Sequence, residues 1–268
     1  MLNSNQLHIL IDGIREAGRI LLGYYRNPDL HIENKADESP VTSADLASNY
    51  FISDLLKREF PETPIISEEA DKPAYSVRKN WDQSWLLDPL DGTKEFIAAN
   101  DEFAINLALI RGNRPVLGII AVPAKNLIYY GAAGEGSWRI EADNRRIRLP
   151  LQQSNHNETR KITALISRSH AGAAEMEYIK GIRDKGWEVE IRPTGSSYKH
   201  VLLAEGSAQL YAKPGICWEW DTAPGQIILE EAGGSVVRMD NGEPLIYNKE
   251  SFSNPHLVMW APGVTIPL

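Results

Sequence analysis

Apolar residues recur at helical spacing near the start of the chain, where Leu7, Leu10, Ile11, Ile14, Ala17 and Leu21 share one side of a 3.6-residue repeat. This predicts a helix from about Asn5 to Tyr25, with Ser4 as its cap. A second helix is expected from about Thr42 to just before Pro61, burying Leu46, Tyr50, Leu55 and Leu56. Short β-like runs at 30–34 and 64–67 surround it. From Trp85 the period changes. Apolar runs at 103–110, 115–122, 127–131 and 136–140 are separated by turn signals such as Arg-Gly-Asn-Arg at 111–114, the pattern of an antiparallel meander. The polar stretch 152–160 (QQSNHNETR) follows. Beyond it, expected strands at 161–166, 187–191, 208–212 and 235–239 alternate with helices at 173–184, 197–205 and about 222–232. The pattern describes an α+β lobe, residues 1–155, followed by an α/β lobe, residues 156–268.

Composition narrows the class. At 43% hydrophobic and 24% charged residues, the 268-residue chain has an ordinary globular balance and can bury a core without staples. The single cysteine, Cys217, excludes an internal disulfide framework and fits a reducing compartment. The first twenty residues carry acids and a helical pattern, not the basic end and apolar run of a signal peptide. No stretch approaches the roughly 18 apolar residues of a membrane helix. A cytoplasmic protein is expected, with peripheral membrane association left open. The net charge of −8, from 28 basic and 36 acidic residues, argues against a nucleic-acid polymer as partner. Small anions still bind such a protein where carboxylates hold divalent cations.

Acids gather in four places: VTSAD at 41–45, SEE at 67–69, DPLDGT at 88–93 and WDTAPG at 220–225. In DPLDGT, Pro89 biases Asp88 away from helix and Gly92 permits a sharp path after Asp91. Two carboxylates on a stiff turn suit a hard cation such as Mg²⁺, and two such cations can clamp an in-line displacement. Read alone, the hexapeptide is equally a turn or a cap. Glu68 and Glu69 read as solvated loop acids, Asp45 as the partner of Thr42 in a capping box, and Asp221 as the cap of a helix starting at Thr222. The six histidines lack zinc spacing, and no nucleophile elbow, Walker loop or dinucleotide fingerprint occurs. Trp218 and Trp220 read as packing.

Taken together and in this order, the motifs resemble the inositol monophosphatase superfamily of metal-dependent, lithium-sensitive phosphatases. Its pattern is an acid pair, then D-P-[IL]-D-[GS]-T, then W-D-x-[AG]-x-G. The resemblance covers nearly the whole chain and implies one catalytic unit with a layered αβαβα sandwich of the sugar-phosphatase type, a mixed α+β and α/β architecture. It implies two or three Mg²⁺ per site, held by Glu68, Asp88, Asp91, Asp221 and the carbonyl of Leu90, so that the first lobe carries most ligands. Asp45 and Thr93, with Glu68, would orient and activate the attacking water. One departure is Pro224, where the family often has alanine. With Asp221 as cap, this proline is expected in the first helical turn, where proline is tolerated.

LDGTKEF at 90–96, SRSH at 167–170 and GSSYKHVLLAEGSAQLY at 195–211 resemble the 3′(2′),5′-bisphosphate nucleotidases of the CysQ type. That branch implies substrate contacts at Ser167, His170, Ser196 and Lys199, in addition to Glu68, Leu90, Asp91, Gly92, Thr93 and Asp221. The implied partner is a small bisphosphate nucleotide. The implied reaction removes the 3′-phosphate of 3′-phosphoadenosine 5′-phosphate, clearing a by-product of sulfate assimilation or sulfotransfer. Inositol or other sugar phosphates are the alternative substrates, and a non-catalytic nucleotide-binding role is the third reading. Oligomeric state is left open.

Overall fold

The computed structural model describes residues 2–27, 30–34, 40–152, 156–169 and 171–264. Helix α1 (Ser4–Tyr24) starts one residue earlier than its apolar stripe suggests, because Asn3 and not Ser4 is the cap. The Asn3 side chain accepts from the Gln6 N–H at 2.9 Å, and the Gln6 side chain accepts from the Asn3 N–H at 3.0 Å. A short antiparallel pair, β1 (Ile32–Asn34) and β2 (Pro40–Thr42), leads into α2 (Ser43–Glu59). Thr42 caps α2 as expected, but the inward face differs. Ala44, Asp45, Ser48, Ile52, Leu55 and Leu56 are buried, while Leu46 is 53% and Tyr50 77% exposed. The buried set keeps helical spacing but includes two polar residues, which a hydrophobicity pattern cannot register.

Among the described residues the chain forms two large sheets. The first follows chain order: β3 (Ile65–Ser67), β4 (Gln83–Asp91), β5 (Ala104–Arg111), β6 (Arg114–Val122), β7 (Leu127–Ala132), β8 (Gly136–Ile140) and β9 (Arg146–Arg148). Only the β3–β4 pair is parallel, and the rest is the expected meander. Short helices α3 (Tyr75–Arg78) and α4 (Thr93–Ile97) flank β4. After α5 (His156–Thr159), the second half supplies β10 (Lys161–Ser167), α6 (Ala173–Asp184), β11 (Glu188–Thr194), α7 (Tyr198–Glu205), β12 (Leu210–Lys213), α8 (Glu219–Glu231), β13 (Ser235–Arg238) and β14 (Leu257–Trp260). These strands form a mixed sheet in the order β11-β10-β12-β14-β13.

Three apolar clusters define five layers. Leu10, Ile14 and Leu21 of α1 and Ile52 of α2 pack on Leu87, Ile105 and Leu107 of the first sheet. The other face of that sheet, with Leu86, Ile120 and Tyr129, packs on α7 and α8, whose far side meets Val236 and Met259 of the second sheet. Ile179 and Ile182 of α6 cover the outer face of that second sheet. The order is helices, sheet, helices, sheet, helix. The expected lobe boundary at 155/156 borders residues 153–155, outside those described. One core of residues from both halves joins them, because the central helices come from the second half and pack on both sheets. Among the described residues, no helix is long and apolar enough to cross a membrane.

The central layer depends on close approach. A Cβ at Gly118 of β6 would lie 2.5 Å from Ile227 Cγ2 and 2.7 Å from Pro224 Cα of α8. Gly118→Ala therefore forces helix and sheet apart and is expected to cost about 1–3 kcal/mol. The measurement is a thermal melt, where an unchanged Tm contradicts this packing.

Candidate active site

Residues three apart on a regular strand point to opposite faces, yet Asp88 and Asp91 of β4 line the same cleft. Asp88 pairs with Asn106 and Asp91 with Ala104, so β4 has one more residue than β5 in this interval. This β-bulge turns the second carboxylate towards the first. Pro89 lies inside the bulge, where its missing N–H costs no ladder bond. The Leu90 N–H donates to Asp88 Oδ1 at 3.0 Å, and Ser48 Oγ donates to the Pro89 carbonyl at 2.9 Å. Gly92 follows at φ +84°, where a Cβ would meet Ser196 Cβ at 3.0 Å. Both its backbone and its lack of side chain are needed to bring the 195–197 loop down on the DPLDGT segment.

Asp45 holds both roles that its sequence position allows. One carboxylate oxygen accepts from the Thr42 N–H (2.8 Å) and hydroxyl (2.6 Å), completing the cap of α2. The other accepts from Thr93 Oγ1 at 3.2 Å, and that hydroxyl also lies 3.3 Å from the Leu90 carbonyl. Thr93 lines the cleft and Asp45 lies buried behind it.

Glu68 follows β3, with its N–H donating to the Leu87 carbonyl at 2.9 Å. Asp221 arrives from the opposite side. Helix α8 begins at Glu219, three residues before the expected start, so Asp221 sits inside the first turn and accepts from the Trp218 N–H at 2.8 Å. Pro224 accordingly falls in the second turn, where it removes a bond to the Trp220 carbonyl instead of an orphan N–H. Carboxylate oxygens of Glu68, Asp88 and Asp221 all lie within 4.8 Å of one another. Asp91 accepts from Asn106 Nδ2 (3.2 Å) and from the Ser197 N–H.

The electrostatics of this cluster call for a cation. Burial, reinforced by Glu68, Asp91 and Asp221, pushes the Asp88 carboxyl well above the ordinary carboxylate range. Burial, with Asp91 and Glu68, does the same to Asp221. Burial also raises Asp91, against the pull of Lys199. Converging oxygen donors that repel one another in a recess suit a hard divalent ion. This donor set fits magnesium.

The cleft has a volume of about 510 Å³. Its other wall comes from the second half of the chain: Ser167 at the end of β10, Ser196 at φ +47°, and buried Lys199. His170 lies outside the described residues. Its neighbours dock on the first half, with Ser169 Oγ donating to Glu95 at 2.6 Å and Arg168 paired to Glu102 at 2.8 and 3.0 Å. Lys199 Nζ donates to the carbonyls of Ser196 (2.7 Å) and Thr194 (3.2 Å). Lys213 and Trp218 also line the cleft, beyond the residues that the motifs single out. Lysine before Pro214-Gly215 reads as a turn residue, and only its place at the end of β12 turns it inward. Cys217 is inert by its setting, since burial pushes its thiol up to about 12.

Lys199 gives a pH prediction. Burial, outweighing Asp91, lowers it to about 8 from an ordinary 10.5. Below about 8 both folded and unfolded chains carry the charge, so the full burial cost falls on the fold. As pH rises from about 8 towards 10.5, the folded protein alone loses the proton and that cost is relieved. Lys199→Met is therefore expected to raise Tm at pH 7 more than at pH 10. KM for an anionic substrate should climb as wild type passes upward through about pH 8, and Lys199→Met should lose this slope. A wild-type KM flat from pH 7 to 9 contradicts the assignment.

Comparison with known proteins agrees with this architecture. Residues 3–262 match the inositol monophosphatase family. The 3′(2′),5′-bisphosphate nucleotidase CysQ of Escherichia coli K12 is 41% identical over 243 residues, covering 90% of this chain and 94% of that protein. The corresponding Haemophilus influenzae protein is 34% identical over 96% and 93% of the two chains. Among solved structures, CysQ from Bacteroides thetaiotaomicron, described as a bacterial member of the same family, superposes with a TM-score of 0.82 at 36% identity, over 96% and 97% of the chains. The chain therefore belongs to the inositol monophosphatase family.

Proposed function

We propose that this protein is a magnesium-dependent phosphomonoesterase that cleaves 3′-phosphoadenosine 5′-phosphate to AMP and inorganic phosphate. The observation that carries the reading is that acids and donors meet within one cleft. Glu68, Asp88, Asp91 and Asp221 line it together with Ser167, Ser196 and Lys199. The bisphosphate nucleotidases among its relatives support the choice of substrate.

In this reading Glu68, Asp88, Asp91, Asp221 and the Leu90 carbonyl hold two or three Mg²⁺. The ions supply Lewis-acid stabilisation of phosphoryl charge and favour deprotonation of water. The chain's own groups do the rest. Thr93 holds the attacking water and takes its proton as the Thr93 hydroxyl passes its own to Asp45 Oδ1, 3.2 Å behind it. Lys199, Ser167 and Ser196 offer donors to the substrate's second phosphate. A cytoplasmic setting accords with the single reduced Cys217.

The test is phosphate release, with Mg²⁺, from 3′-phosphoadenosine 5′-phosphate, its sulfated analogue, inositol 1-phosphate and fructose 1,6-bisphosphate, each with and without Li⁺ or chelator. A kcat/KM favouring the nucleotide, lost on adding either agent, is the expected outcome. Preference for inositol 1-phosphate or the sugar would keep the acid cluster and overturn the reading of Ser167, Ser196 and Lys199. Binding of the nucleotide without phosphate release would make the protein a binding module.

A further inference from the structure

The cleft described above accounts for both phosphates of a nucleotide but not for its base. Most groups that face it are charged or polar. Of its apolar lining residues, Trp218 and Ile216 are the exposed ones, at 38% and 73%. Packing demand does not explain the Trp218 ring, because its neighbour Trp220 already fills the buried position at 5% exposure. The two indoles stack with centroids 5.8 Å apart and planes 18° from parallel. Trp220 is itself braced by Phe252 at 5.5 Å.

This stack is tied to the acids from two directions. The Trp218 N–H donates to Asp221 Oδ2 at 2.8 Å, and the Trp218 carbonyl accepts from Asn254 Nδ2 at 2.8 Å. On the other side, Lys72 places its ammonium over the Trp220 ring at 5.3 Å and donates to the backbone carbonyl of Glu68. A flat apolar ring is thus held at a fixed offset from Glu68 and Asp221. The sequence reading of both tryptophans as packing accounts for Trp220 and for the face of Trp218 that stacks on it.

We infer that Trp218, with Ile216 beside it, is the platform on which the purine of the bound nucleotide stacks, making it a specificity-determining residue of this cleft. The inference rests on the substrate proposed above. Base-on-indole stacking tolerates a shallow, open wall because it needs only a π-face. It rewards a substrate that carries a base and leaves a base-free phosphate ester unaffected. A cleft with the same acids but no aromatic at this position would lack that preference.

The experiment compares wild type, Trp218→Ala and Trp218→Phe as Mg²⁺-loaded enzymes. KM for 3′-phosphoadenosine 5′-phosphate and the inhibition constant of AMP are each expected to rise about tenfold in Trp218→Ala, about 1.4 kcal/mol. The inhibition constant of inorganic phosphate should stay within twofold, and Trp218→Phe should recover most of the loss. Equal weakening of AMP and inorganic phosphate would show that Trp218 merely positions Asp221 and would overturn the platform. So would an unchanged KM in Trp218→Ala. A wild type that releases no phosphate from the nucleotide at all would instead overturn the substrate assignment, and the platform with it.

Discussion

Asp88→Asn is expected to lower kcat on the nucleotide by about 10³-fold or more, while the same variant, held in chelator, melts above wild type. The two effects have one origin. In the metal-free protein Asp88 is 2% exposed and faces Glu68, Asp91 and Asp221. Its charge is a burden on the fold unless a cation shares the recess. Asparagine keeps an oxygen for the Leu90 N–H, now 3.0 Å from Asp88 Oδ1, and removes the repulsion. A rise of about 2–4 °C for each kcal/mol relieved follows for a chain of this size. Added Mg²⁺ should raise Tm strongly in wild type and weakly in the variant. If Asp88→Asn melts below wild type in chelator, the repulsion is not the dominant cost at this position.

Thr93→Val and Asp45→Asn are each expected to reduce kcat by about 10²–10⁴-fold, and the double variant should be little worse than either alone. Groups that pass one proton along a single path fail together, so their losses do not add. The side-chain amide oxygen in Asp45→Asn can still accept from the Thr42 N–H and keep α2 capped, which separates the chemical role from the folding role. Asp45→Ala lacks that acceptor and should add a stability loss of about 1 kcal/mol. Kinetics of the four variants with melts alongside provide the check. Additive losses would place the two residues on separate tasks.

Much of this molecule was legible along the chain because two periods dominate it. The meander from Ala104 to Ile140 alternates cleanly with turn signals, and α6 occupies the expected 173–184. What escaped was whatever depends on non-local placement. Leu46 and Tyr50 looked like core and face solvent, since α2 spends its inward face on Asp45 and Ser48. Pro89 and Gly92 marked a stiff turn at Asp88 and Asp91, but the bulge itself escaped, because it is defined by the pairing with β5. Glu219 shows the converse. It is fully buried two residues from Asp221, yet its carboxylate takes the Lys249 ammonium at 2.5 Å and the N–H groups of Asn248 and Lys249. Motif order selected Asp221, and nothing in the local pattern explained why its neighbour serves structure alone.

The central helical layer has a consequence for synthesis. The seven-stranded sheet is complete at Arg148, but the helices that cover its inner face end only at Glu231. At about 5–20 residues per second, a ribosome needs roughly 4–17 s to produce that stretch. Until α7 and then α8 are made, Leu86, Ile120 and Tyr129 lack the helices that cover them in the folded protein. Partly made chains of intermediate length are thus the species most in need of a chaperone.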